Sequence, residues 1–214
     1  VDGIGAVQTP AAHAARNATR DIPIVVMAGD PIATGLISNL ARPDGNLTGL
    51  SATAAEAVAK SLELISEIVP AARRVGVVGN ADDPFMKPFI EQIERAAPSV
   101  HLEVHQTVVR GSDELDAAFA AIARERVDAV VIQGSLPVKL TVALALKYRL
   151  PSLSTQKSAV QAGILMSYSA SFVERGHVIA SYVDKILKGA KHADLPVQQP
   201  SMYELAINRK TAKV

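Results

Sequence analysis

The sequence predicts an α/β protein with parallel, doubly wound sheets, on two observations. Short apolar runs alternate with amphipathic helical segments at a spacing of roughly 20–30 residues along almost the whole chain, the pattern of β-α-β crossovers. Several of these runs, such as Ile22 to Ala28 and Val127 to Ile132, are continuously apolar and end in polar turns, as buried strands leading into helices do.

The elements follow in order. Val1 to Val7 reads as a short strand interrupted by Gly3 and Gly5. Thr9 is placed to N-cap a helix over Ala11 to Thr19, with Pro10 at its first position. Ile22 to Ala28 is the next strand. Gly29-Asp30-Pro31 breaks it, a helix is expected from Ile32 to Leu40, and a turn at Arg42 to Asn46 leads to a strand over Leu47 to Leu50. Ala54 to Val69 is an amphipathic helix with Val58, Leu62, Ile65 and Val69 on one stripe, stopped by Pro70. Val75 to Val78 is a strand, and an Asp cap before Pro84 starts a helix whose apolar face is Phe85, Phe89, Ile93 and Ala97. His101 to Val109 alternates as a strand, and Ser112-Asp113-Glu114 opens a helix with acids in its first turn. Val127 to Ile132 is a strand, Leu136 to Tyr148 a helix, and Leu150 to Leu153 a strand. A short helix ends at Ala162 before Gly163, and Ile164 to Tyr168 is a strand. Ser171 and Glu174 have the spacing of a capping box that opens a helix to Lys188, stopped at Gly189. Tyr203 to Ile207 is the last strand. The aromatics Phe85, Phe89, Phe119 and Phe172 sit at core spacing and read as packing.

The helix from Ala54 lies between two groups of strands. The lobe boundary is expected near Ser51 to Thr53, with a hinge there. Residues 1–52 form what is present of a first lobe, the tail 195–214 packs with it, and residues 53–194 form a second lobe with the crossing helix.

Composition narrows the function. The chain has 214 residues and a net charge of +1, and no Lys/Arg cluster is denser than Ala71-Ala72-Arg73-Arg74, which gives no case for nucleic acid. Aromatics are 4% with no Trp, so base-stacking platforms are not expected. The absence of cysteine removes disulfides, thiol catalysis and thiolate metal sites. No run approaches the ~20 apolar residues of a membrane span, and no signal peptide is present in this chain. Val1 is not a translation start, which implies a processed chain or a fragment. His101 and His105, about 13 Å apart along a strand, do not have metal spacing. No P-loop, dinucleotide fingerprint or nucleophile elbow occurs, so no cofactor, metal or catalytic residue is expected.

The polar strand ends carry the candidate chemistry. In doubly wound sheets the carboxyl ends of the strands share one edge, where hydroxyls and free backbone N–H groups suit a small anion. Thr9, Asp30, Asn80, Gln133, Ser135, Ser154 and Tyr168 are the candidate ligand-binding residues. Thr9, Asp82, Asp83 and Ser171 also have a local reading as helix caps. Asp30 has two readings of equal weight, an acceptor for a ligand ammonium or a cap for the helix at Ile32. Tyr168, the aromatic at a strand end, is placed over an apolar or aromatic ligand group.

These turns bring out a resemblance. Ile22-Pro23-Ile24-Val25 with Gly29-Asp30-Pro31, Thr34-Gly35-Leu36, Leu40-Ala41-Arg42-Pro43 and Gly45-Asn46-Leu47-Thr48-Gly49 open it. Leu150-Pro151, Gly163 to Tyr168, Asp184 to Gly189 and Leu195 to Pro200 with Glu204-Leu205, Asn208 and Thr211-Ala212 complete it. The chain resembles, over essentially its whole length, the ABC-transporter substrate-binding protein family that includes tryptophan- and phenylalanine-binding members. The resemblance implies a type I periplasmic binding fold, with two Rossmann-like lobes, a hinge of crossing segments and a ligand between the lobes. It implies a non-enzymatic receptor, periplasmic or lipid-anchored outside the cytoplasm, that binds a small carboxylate or amino acid and delivers it to an ABC permease in the membrane. Family members carry two further β-α units before the segment that matches Val1, so the first lobe is expected to lack its first strands. An open sheet edge of that kind favours a homodimer. Two rivals differ in class. The ligand-sensing core of a regulator lacks support in any helix-turn-helix segment here, and an α/β isomerase in any carboxylate–histidine constellation.

Overall fold

The computed structural model describes residues 1–52 and 55–213. The chain runs β1 (Ile4–Val7), α1 (Thr9–Ala18), β2 (Ile24–Ala28), β3 (Leu47–Ser51), α2 (Ala55–Ile68), β4 (Arg74–Asn80), α3 (Met86–Ala96) and β5 (Glu103–Val109). It continues through α4 (Leu115–Arg124), β6 (Ala129–Ile132), α5 (Val138–Lys147), β7 (Ser152–Ser154), α6 (Lys157–Ala162), β8 (Met166–Ala170), α7 (Phe172–Leu187) and β9 (Tyr203–Ile207). Two compact units divide it: residues 1–54 with 170–203, and residues 55–169 with 204–214.

The first unit is built on a three-stranded sheet, β1-β2-β3, with both pairs parallel. Parallel neighbours need crossovers, and α1 supplies the one between β1 and β2. Its Ala12 packs with Ala6, Ile24 and Val26 on one face of the sheet. On the other face, Val178, Ile179, Tyr182 and Ile186 of α7 pack against Val25 and Leu195. The segment 195–198 runs along β3, where Thr48 Oγ1 donates to Leu195 O at 2.6 Å and Ser51 N to Gln198 O at 2.8 Å.

The second unit is a six-stranded sheet in the order β5-β4-β6-β7-β8-β9, parallel from β5 through β8. Alternation along the strands divides its core. Val75, Val77, Ala129, Val131, Leu153 and Met166 face α2 and α3. Val78, Val130 and Ile132 face the other way with Leu115, Phe119 and Ile122 of α4. Every β6 residue is buried, as the continuous apolar run requires.

Several expectations are corrected. The division differs from the expected one at both ends of the chain's last third. Helix α7 belongs with the first unit because its stripe is buried on β2 and β3, and residues 204–214 belong with the second because β9 joins that sheet. Of the expected hinge, Thr53 lies outside the described residues. The helix expected over Ile32 to Leu40 is a series of turns. Asp30 starts one helical turn, but Gly35 adopts φ 70°, a left-handed conformation that ends it, and Leu36 and Ile37 are buried instead. Thr9 is the first helical residue, not the cap. Ser171 makes no side-chain cap, and the other half of the box is also taken by the tail, since Ser171 N donates to Met202 O while Glu174 accepts from Ser201 N, Ser201 Oγ and Met202 N. Phe172 is 69% exposed at the start of α7, under the Arg175 guanidinium.

Candidate functional site

In the second unit the polar strand ends form a connected hydrogen-bond network. Gln133 follows β6 and is 2% exposed. Its Nε2 donates to Asp83 Oδ2 at 2.8 Å, and its Oε1 accepts from Asn80 N at 2.8 Å. One amide side chain thus fixes the loop that joins β4 to α3. Asp83 completes that loop by accepting from Phe85 N at 2.9 Å through Oδ1. Asn80, the last residue of β4, accepts from Asp82 N through Oδ1 and donates through Nδ2 to Ser135 Oγ at 3.3 Å. The Ser135 hydroxyl hydrogen is left with no acceptor among the described residues, and Ser135 is partly exposed. Asn80 and Ser135 are therefore brought together at the surface on a buried Gln133–Asp83 support.

The next loop is tied to this one. Gln156 Nε2 donates to Gly134 O at 2.5 Å, and Gln156 N donates to Ser154 Oγ at 3.3 Å. A Cβ at Gly134 would lie 2.9 Å from Thr155 Oγ1 and 3.0 Å from Gln156 Nε2, so a side chain there would push these groups aside. Ser154 is buried and serves this turn. Gln156 and Asp83 are residues that strand-end reasoning left out of the site. Their roles depend on loops 22 and 50 residues away in sequence, and the only local signal was a polar side chain at a strand end. Tyr168 lies on β8, the neighbour of β7 in the sheet. It shares the face of β8 with Met166 and packs against the α2–α3 core.

In the first unit the strand ends are built differently. Thr9 is 2% exposed, and its Oγ1 accepts from Gly29 N at 3.2 Å, which ties the ends of β1 and β2 together. It is turned inward as a support. Gln8, just before it, is exposed and adopts φ 72°, ψ 154°, a region that side-chain-bearing residues rarely occupy. Its N–H donates to Met27 O at 2.8 Å and its carbonyl accepts from Ala12 N at 3.1 Å, so both sides of the peptide are held. Asp30 is half-buried after β2. Its Oδ1 accepts from Ala33 N at 3.0 Å and its carbonyl from Thr34 N and Oγ1, while Oδ2 has no partner among the described residues. Asp30 thus caps a turn with one oxygen and presents the other.

Among the described residues no group of His, Asp and Glu has the arrangement of a metal site, and no helix is long and apolar enough to cross a membrane.

The sequence matches the family described as ABC transporter substrate binding protein over residues 1–214. A tyrosine-binding protein of Clostridioides difficile (strain R20291) is 29% identical over 219 residues, which cover 99% of this chain and 62% of the relative. The chain therefore spans less than two thirds of that relative's length. The crystal structure of a Streptococcus pneumonia ABC domain in complex with L-Trp superposes with a TM-score of 0.91 at 26% identity, covering 99% of this chain and 74% of that one. A conserved domain protein from Vibrio cholerae gives a TM-score of 0.91 at 28% identity, covering 99% and 72%. The architecture is that of type I periplasmic binding proteins.

Proposed function

Because the chain belongs to the ABC transporter substrate-binding protein family, we propose that it is the ligand-recognising part of a solute receptor for a small amino acid, with an aromatic side chain favoured. The relatives named for tyrosine and bound to L-Trp support the ligand class. The observation that carries the reading is the Asn80–Ser135 pair on its buried Gln133–Asp83 support. A hydroxyl fixed through its oxygen and left with its hydrogen to donate is what a carboxylate needs, and the rigid support keeps the cost of ordering it low. Asp30 Oδ2, on the first unit, is the acceptor for the ammonium group. Tyr168, packed on the α2–α3 core, covers the aromatic group of the ligand.

The protein acts by binding and release, not turnover, outside the cytoplasm, and hands its ligand to a membrane permease. Pairing of two copies through β1, an edge strand of its sheet, is part of the same reading, and a monomer in light scattering at high concentration counts against it.

The test is a thermal-shift screen of tyrosine, tryptophan, phenylalanine, aliphatic amino acids and the matching des-amino carboxylates. A ligand at 100 times its Kd adds about 2.7 kcal/mol of stability. Stabilisation by aromatic amino acids above the others is the expected result. Chemical conversion of a stabilising ligand on prolonged incubation would make the protein an enzyme and overturn the reading.

A further inference from the structure

We propose that the edge of the second unit formed by the starts of its strands is an electrostatic docking surface for an anionic phospholipid bilayer. This unit carries nearly equal numbers of acids and bases, but they are not evenly placed. Arg74 opens β4, Arg126 lies in the turn before β6, and Arg149 lies in the turn before β7. These three strands are neighbours in the sheet, and their starts are level. Asp128 N donates to Arg74 O, and Val130 N to Pro151 O, each at 2.8 Å. The residues after β9 reach the same edge. Asn208 N donates to Leu165 O at 2.8 Å and Thr211 Oγ1 to Gly163 O at 2.9 Å, which fastens Arg209 and Lys210 beside the turn into β8.

All five of these cations are exposed. Only Arg74 has a carboxylate partner among the described residues, Glu103 at 3.6 Å. Three acids share this edge: Asp128, which stays charged while it accepts from the backbone N–H groups of Arg73 and Arg74, with Glu103 and Glu125, and they are outnumbered by the five cations and the exposed Arg73. Arg126 and Arg149 adopt φ 55° and 51°. That left-handed conformation favours glycine. A helix C-terminus accounts for a nearby positive charge but not for its placement on the strained residue in two successive turns. Neighbouring strands are about 4.8 Å apart, so the row extends for roughly 20 Å. That is too long for one small anion and is matched by a surface of repeated phosphates, which guanidinium groups bind through paired N–H donors. The choice of a bilayer rests on the reading that the protein works beside a membrane permease.

The experiment is co-sedimentation of the ligand-free chain with phosphatidylcholine vesicles, with and without phosphatidylglycerol. Expected is binding that requires phosphatidylglycerol and is lost in high salt. The double variant Arg126→Gly, Arg149→Gly relieves both left-handed residues, so its Tm is not lowered, and its vesicle affinity falls about fivefold per arginine. Lys87→Gln, on the first turn of α3 at the opposite edge, leaves vesicle binding unchanged. Equal binding to both vesicles, no binding to either, undiminished binding of the double variant, or binding to duplex DNA as tight as to vesicles overturns the proposal. Because no ligand is added, failure here leaves the ligand reading standing, and a failed ligand screen leaves this proposal standing.

Discussion

Gln133 Nε2 donates to the buried carboxylate of Asp83 at 2.8 Å while its Oε1 holds Asn80 N at the same distance. A side chain used at both ends is a support for its neighbours. Gln133→Leu keeps the volume but leaves a buried carboxylate and an N–H short of partners, so it costs about 3 kcal/mol. Gln133→Glu sets two carboxyl groups against each other and costs a similar amount. Urea unfolding measures both, and stability within 0.5 kcal/mol or so of the parent for both variants would show that the network is ornamental.

Asp30→Asn separates the two uses of that side chain. The variant keeps an oxygen for Ala33 N and loses the charge offered to an ammonium group. Affinity for an amino acid falls by about tenfold or more, whereas affinity for the matching des-amino carboxylate is unchanged. Isothermal titration with the two ligands distinguishes them, and equal losses for both rule out the ammonium role.

Gln8 holds φ 72°, ψ 154° between two backbone hydrogen bonds. Glycine adopts that conformation freely but also gains entropy in the unfolded chain. Gln8→Gly therefore keeps or raises stability, by up to about 1 kcal/mol, and Gln8→Ala does not. If glycine is the worse of the two in thermal unfolding, the strain argument fails.

The Asp128 carboxyl is held below its ordinary value of 3.8, chiefly by the Arg73 backbone N–H and then by that of Arg74. Its folded pKa is thus lower than its unfolded one. As pH falls the unfolded chain takes up the proton first, so the stability Asp128 contributes is full at neutral pH and is lost below about pH 4. Asp128→Asn lowers stability by about 1 kcal/mol at pH 7, and this deficit shrinks as pH falls below the unfolded value of 3.8, where the unfolded chain takes up its proton while the folded carboxyl stays charged longer. Urea midpoints at pH 7 and at a series of values below about 4 test this, and a deficit that does not shrink as pH falls contradicts it.

The legibility of this protein follows the range of its interactions. The alternation of buried runs and amphipathic helices was readable because it rests on residues within a few turns of one another. Val58, Leu62 and Ile65 show it on α2, and all three are buried. The family resemblance was carried by turn sequences such as Gly29-Asp30-Pro31 and by the polar strand ends. Where local signals failed, a distant partner had outbid a near one. Ser171 and Glu174 have capping-box spacing, yet Glu174 is taken by the tail at Ser201 and Met202. Thr9 has the position of a cap, yet its hydroxyl accepts from Gly29, just after the neighbouring strand.

The sequence by itself determined the class of architecture, the family and the edges at which polar groups gather, because strand periodicity and turn chemistry are local properties. Only the tertiary structure decided what those groups do. It turned Thr9 inward, made Gln133 a support for Asn80 and Ser135, and placed α7 on the first unit's sheet through Tyr182 and its stripe. It also lined up Arg74, Arg126 and Arg149, which no window of the chain contains together. The reason is physical. A β-sheet sets side by side residues that are tens of positions apart, and which loop meets which follows from strand order, a choice made by packing the whole core.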